Sequence, residues 1–210
     1  MKGLFYKDLI SVMKTYRSIF LIILVFLGAS FLSKGNLFWA SYAAFMGCTM
    51  VATMQNIDET SKWCRMCDTL PVTRSDMVRE KFLFNTMINL GIIGIYLIMA
   101  VIASLFRLAP EPADILVSVV TMWIAGIISS SCTLTTAFLF GPQRSQLMRV
   151  VMIVVFVMVC MSLINYVPGF MEFLKNTNPM IIIPLALVLP VVIQLLSIMI
   201  ASAGFEKRIL

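Results

Sequence analysis

Cys64 and Cys67 form a C-x-x-C pair, a spacing at which two thiolates bind a metal or cycle a disulfide. A structural zinc site needs four ligands, and no second cysteine pair or histidine lies near this one. The two therefore read as incidental cysteines on one helical face. The chain has no histidine at all. That removes the zinc-protease H-E-x-x-H pattern and Ser–His nucleophilic catalysis. It also lacks a G-x-x-x-x-G-K-[ST] loop, so it does not cradle ATP in that manner. No catalytic residue, resident metal or cofactor is expected.

The polar groups left to consider stand in apolar surroundings. Asn85 and Asn89 lie one helical turn apart, and Gln194 is alone in a long apolar run. Ser129, Ser130, Ser131, Thr133, Thr135 and Thr136 crowd another run. Asn85, Asn89, Ser130, Thr133 and Gln194 are the candidates for lining a translocation path. Such residues also pack helices together and bond backbone carbonyls. No apolar run carries Asp, Glu, Lys or Arg near its middle. Proton relays and ion-coupled transporters normally need such groups, so a self-powered secondary transporter is disfavoured. No sequence repeat relates the two halves either.

The elements that position these groups follow from composition. Of 210 residues, 60% are hydrophobic and only 12% charged, against about 25% charged in a soluble domain. The mean hydropathy is +0.99. Such a chain cannot cover its surface with polar groups, so its solvent is lipid. Uncharged runs cover 18–33, 35–57, 82–106, 115–143, 150–171 and 176–205. About 20 helical residues cross a hydrocarbon core of roughly 30 Å. The reading is an all-α membrane protein with six transmembrane helices, the first extended by snorkelling Arg17 and Lys34. Pro184 and Pro190 are expected to kink the sixth helix. Residues 1–17 read as an interfacial amphipathic helix with Phe5, Leu9, Val12 and Met13 on one face and Lys7, Ser11 and Lys14 opposite. Residues 168–179 read as a short extracellular re-entrant-like segment. The whole chain, 1–210, is expected to form a single transmembrane domain. No cleavable signal or disulfide framework is expected.

Basic residues set the orientation. Lys2, Lys7, Lys14, Arg17, Arg144, Arg149, Lys207 and Arg208 fall on one side, together with five more in 58–81. Only Lys34, Arg107 and Lys175 fall on the other. Both termini are therefore expected in the cytoplasm, and the net charge of +6 reads as topology with no nucleic-acid partner.

Residues 58–81 concentrate charge: ten of the 24 are ionisable acids or bases. One charge at the bilayer centre costs roughly 2.5–3.5 kcal/mol, so lipid excludes this island. Ser61–Cys67 is expected to form a short helix that Pro71 ends, because the residue before a proline avoids helical geometry. Thr73 or Ser75 caps a second helix with Met77, Val78 and Phe82 on its apolar side. Trp63, Met66 and Leu70 are apolar groups suited to anchoring in a partner.

At these residues the chain resembles the ABC-2 type permeases of bacterial ABC transporters. The matching pattern is Asp58-Glu59, Trp63, Thr69-Leu70-Pro71-Val72-Thr73-Arg74, Val78 and Lys81-Phe82, with Met1-Lys2-Gly3-Leu4 through Lys7-Asp8-Leu9 at the start. The nearest subgroup resembles small permeases of Gram-positive bacteria that export phenol-soluble modulins and antimicrobial peptides. The resemblance implies a multi-pass protein of the bacterial cytoplasmic membrane. It implies that 58–81 carries a coupling helix docking on an ABC ATPase subunit, with Glu59, Trp63, Leu70, Pro71, Thr73 and Arg74 as the coupling residues. It also implies a second permease chain, identical or different, ATP and Mg bound by the ATPase and not by this chain, and a peptide or drug cargo. The rival reading is a non-transporting membrane immunity or scaffold protein.

Overall fold

The computed structural model describes residues 2–15, 17–32, 37–61, 63, 66, 73–105, 112–141, 144, 146, 147, 150, 151, 154, 158 and 179–207. Among these, six helices carry the architecture and there is no strand: α1 (Lys2–Thr15), α2 (Arg17–Leu32), α3 (Leu37–Thr60), α4 (Arg74–Leu105), α5 (Pro112–Phe140) and α6 (Pro179–Lys207). The expected segment 168–179 lies outside the described residues up to 178.

Local chemistry fixes the helix ends. Thr73 caps α4. Its Oγ1 accepts from the Asp76 N–H at 3.2 Å, and its own N–H donates to Asp76 Oδ2 at 3.4 Å. This is the reciprocal capping box, with Asp in the place of the usual Glu. α5 stops at Gly141, whose φ of 84° suits glycine and whose N–H donates to the Ala137 carbonyl at 3.0 Å. Pro179 opens α6 at a position where a missing N–H costs nothing. Pro184 and Pro190 both fall inside α6, which continues through them as one helix.

Six spans were expected; among the described residues three helices are long and apolar enough to cross a membrane. These are Arg74–Leu105, Asp114–Phe140 and Ala186–Phe205. α1 and α2 meet at 72°, and taken as one broken span they make a fourth. α2 has 16 described residues, about 24 Å of helix. α3 has 24 residues, and its stretch 37–57 carries no charged residue. Its Ala40, Ala43, Ala44, Met50, Val51, Ala52 and Met54 are turned into the protein. Most of the expected fifth span, 150–171, lies outside the described residues.

α3 is the centre of the bundle, packed on α2, α4 and α5, while α6 packs on α4 and α5. Close approach depends on small residues. A Cβ on Gly47 of α3 would fall 2.0 Å from Ile92 Cδ1 of α4. α4 runs antiparallel to α3, α5 and α6. α5 and α6 run parallel: Trp123 meets Leu187 near their starts, and Phe138 meets Phe205 near their ends.

α1 differs in its facing from the expected pattern. Phe5 and Val12 do turn inward, Phe5 lying edge-on to Phe84 at 5.2 Å. Leu9 and Met13 turn outward with Tyr6 and Ile10 as an exposed apolar stripe. The inward face also takes Asp8, which is fully buried. An acid on that face needs partners, and these come from the two flanks of the charged island.

Candidate functional site

The site is built where three helices meet. Asp58 stands in the last turn of α3, Glu80 and Lys81 in the second and third turns of α4, and Lys7 and Asp8 midway along α1. Lys7 Nζ donates to both Asp58 oxygens, at 2.9 and 2.8 Å. Lys81 Nζ donates to Asp58 Oδ2 at 2.8 Å and to Asp8 Oδ2. Lys7 Nζ also pairs with Asp8 Oδ1 at 3.1 Å, as an ion pair outside hydrogen-bond geometry. Two ammonium groups thus hold two carboxylates in a closed ring of contacts.

Burial makes this cluster matter. The Lys81 side chain is 6% exposed and that of Asp8 1%. Ion pairs in water are worth about 0.2–1 kcal/mol. Removing one partner of a buried pair costs about 3–5 kcal/mol, because the other charge is left without compensation. Glu80, itself buried, adds a third carboxyl to the same cleft, which Leu4, Gln55, Trp63 and Met77 also line. Lys7 Nζ sits 4.7 Å from the centre of the Trp63 ring, a cation–π contact.

Just beyond the cluster, α4 carries a belt of polar side chains toward its neighbours. Asn85 Nδ2 donates to Ser130 Oγ of α5 at 2.7 Å. Gln194 Nε2 of α6 donates to Thr86 Oγ1 at 2.7 Å and to the Phe82 carbonyl at 3.2 Å. Asn89 is fully buried against Gly126 of α5. Neither its Nδ2 nor its Oδ1 has a hydrogen-bond partner among the described residues, and Asn85 Oδ1 has none either. Each unpaired buried polar atom costs about 1–3 kcal/mol.

The expected path residues are thus divided. Asn85, Asn89 and Ser130 meet in the α4–α5 seam, and Gln194 lies in the α4–α6 seam. Thr133 Oγ1 bonds back to the Ser129 and Ser130 carbonyls of its own helix, at 2.9 and 3.2 Å. Of the expected coupling residues, Trp63 underlies Lys7, Thr73 caps α4 and Glu59 is half-buried at the end of α3. The Arg74 guanidinium lies 5.9 Å from the Phe205 ring of α6. Leu70 and Pro71 lie outside the described residues, as do Cys64 and Cys67.

Lys7, Asp8, Asp58 and Lys81 all stand in the ABC-2-like pattern, but nothing in their spacing brings them together. One signal pointed to the contact. Asp8 breaks an otherwise basic and apolar amphipathic segment, and an acid there asks for a base.

A family profile described as "ABC-2 family transporter protein" matches residues 3–206. The chain belongs to the ABC-2 transporter family. No curated protein and no solved structure matches it. The ABC-2 match runs from α1 into the last turn of α6, so the ionic cluster and the polar belt both lie within it. ABC-2 permeases are membrane components of ABC transporters. They typically work in the bilayer with a separate ABC ATPase and are generally not catalytic themselves.

Proposed function

We propose that this ABC-2 protein is the permease of an ATP-driven exporter that moves amphipathic peptides or drugs out of the cell, and that residues 58–81 receive the ATPase. The observation that carries this reading is the continuity of α4. It is one helix of 32 residues from Arg74 to Leu105, with no proline inside. At 1.5 Å per residue it spans about 48 Å, more than the hydrocarbon core. The same rod begins in the charged island, passes through the ionic cluster and carries the polar belt. A push on the island is then a push on Asn85 and Asn89, with no hinge between them.

The cluster adds α1 to the moving body. Lys7 and Asp8 tie α1 to Asp58 before the island and to Lys81 after it. The exposed stripe of Tyr6, Leu9, Ile10 and Met13 suits the headgroup plane. In this reading both termini are cytoplasmic, and ATP and Mg bind to the ATPase. Two permease chains, identical or different, frame the path. A further span in 150–171, apolar and uncharged, belongs to the same reading. Glu59, Trp63, Leu70, Pro71, Thr73 and Arg74 couple. Trp63, Thr73 and Arg74 do so by holding the element's shape through Lys7, Asp76 and Phe205. Met66 adds an exposed apolar group to the same island.

The test is co-expression with an ABC ATPase encoded beside this chain, purification of the complex, and ATP hydrolysis in proteoliposomes with and without an amphipathic peptide. The expected result is a stable complex whose hydrolysis rises with peptide, and loss of assembly with Met66→Glu plus Leu70→Glu. Unchanged assembly in that variant would remove the island as the docking element. A chain that assembles with no ATPase would favour the scaffold reading.

A further inference from the structure

α4 is closed against two neighbours by polar side chains at about the same depth, and the two seams differ in kind. In the α4–α6 seam, Gln194 Nε2 meets both the Thr86 hydroxyl and the Phe82 carbonyl. In the α4–α5 seam there is one hydrogen bond, Asn85 to Ser130. Asn85 Oδ1 and both polar atoms of Asn89 are left without partners, in side chains that are fully buried. The Asn89 carboxamide is pressed onto the backbone of α5. A Cβ on Gly126 would lie 2.4 Å from its Nδ2 and 2.6 Å from its Oδ1. Closing this seam therefore leaves these atoms unbonded, and a polar guest held between α4 and α5 would bond them. Of the two, it is the less fully bonded seam.

We propose that the α4–α5 seam opens to take cargo, and that Asn85 and Asn89 there bind the main-chain amides of an extended peptide. The inference deepens the transport reading above and rests on it. A carboxamide offers one acceptor oxygen and two donor hydrogens, the complement of a peptide group. Asn85 and Asn89 are four residues apart on a helix, a rise of about 6 Å. In an extended chain, groups facing the same side recur every two residues, about 6.6–6.8 Å. The pair can therefore meet two successive main-chain groups of one strand. Tyr96 continues the same face of α4. It is fully buried, and its hydroxyl has no partner among the described residues. A helical peptide has already bonded its amides internally, and a drug without repeating amides has no match to this spacing. The site thus selects unfolded or extended peptide backbone.

The experiment uses the purified full-length chain in lipid nanodiscs. The probes are a dansylated hexapeptide of alternating leucine and threonine and its analogue methylated on alternate backbone nitrogens. Fluorescence anisotropy should give at least tenfold tighter binding for the unmethylated peptide. Asn89→Leu, near in size to the native residue, should abolish that preference without lowering the melting temperature, since it removes an unpaired amide. Asn85→Leu should reduce the preference as a second, independent variant. Gln194→Leu should leave it intact. Equal binding of both peptides, no binding of either, or a tenfold preference that survives in Asn89→Leu and Asn85→Leu would overturn the proposal. Hydrolysis by an ATPase complex distinguishes this site from the transport reading. Equal stimulation by both peptides keeps transport and removes the site, whereas a tenfold preference without any ATPase assembly keeps the site and removes transport.

Discussion

Lys81→Met is the sharpest test of the ionic cluster. Methionine keeps the aliphatic stem and deletes the ammonium. Lys81 Nζ bonds Asp58 Oδ2 at 2.8 Å and also Asp8 Oδ2, with the Lys81 side chain 6% exposed. Its loss leaves Asp8, Asp58 and buried Glu80 around Lys7 alone. The scale for orphaning a buried charge is about 3–5 kcal/mol. For a chain of this size each 1 kcal/mol moves the melting temperature by about 2–4 °C, so the variant should melt about 6–20 °C lower. Intrinsic fluorescence in nanodiscs is a fitting assay, because Trp63 lines the same cleft. The double variant Lys81→Met with Asp8→Leu removes the orphaned carboxylate along with its partner. It should recover stability relative to Lys81→Met, with a coupling energy of about 0.5–3 kcal/mol. A fall of less than about 2 °C in Lys81→Met would match the small worth of exposed pairs. That result, or singles whose losses simply add in the double, would refute the clamp.

Three further outcomes are expected. Thr73→Ala removes the α4 cap and should cost about 0.5–2 kcal/mol, read as faster hydrogen exchange at the Asp76 amide; unchanged exchange would mean that the cap contributes nothing. Gly47→Ala drives a methyl onto Ile92 Cδ1 and should cost about 1–3 kcal/mol by overpacking, with Ile92→Ala in the same chain partly relieving it. Ser61→Cys, at an exposed position beyond the end of α3, should be labelled by a membrane-impermeant thiol reagent only from the cytoplasmic side. Labelling in intact cells would reverse the topology.

The two seams that α4 makes with α5 and α6 differ in how fully their polar groups are bonded. Two polar contacts from Gln194, and Arg74 over Phe205, keep α6 with α4. The Gln194 Nε2 has two acceptors, whereas both polar atoms of Asn89 have none among the described residues.

Much of this was legible from residue types. The hydropathy of the chain placed it in lipid, since 12% charged residues cannot solvate its surface. Pro71 and Thr73 placed the start of a helix, and Gly141-Pro142 the end of another, because these residues act on their own backbone neighbours. The number of spans was not legible in the same way. A run such as 35–57 is apolar whether it faces lipid or other helices, and in α3 the apolar residues largely face the protein. Nor could composition say that Leu9 and Met13 turn outward while Asp8 turns in.

The sequence by itself determined which segments lipid accepts and which it excludes, because transfer free energy belongs to each side chain wherever the fold puts it. Only the tertiary structure decided the partners. Lys7 and Asp58 are 51 residues apart, Asp8 and Lys81 73, and Phe82 and Gln194 112. Contacts over such separations depend on how helices cross, which no local preference encodes. That is why the charged island could be read as excluded from lipid, while the clamp that joins it to α1 could not.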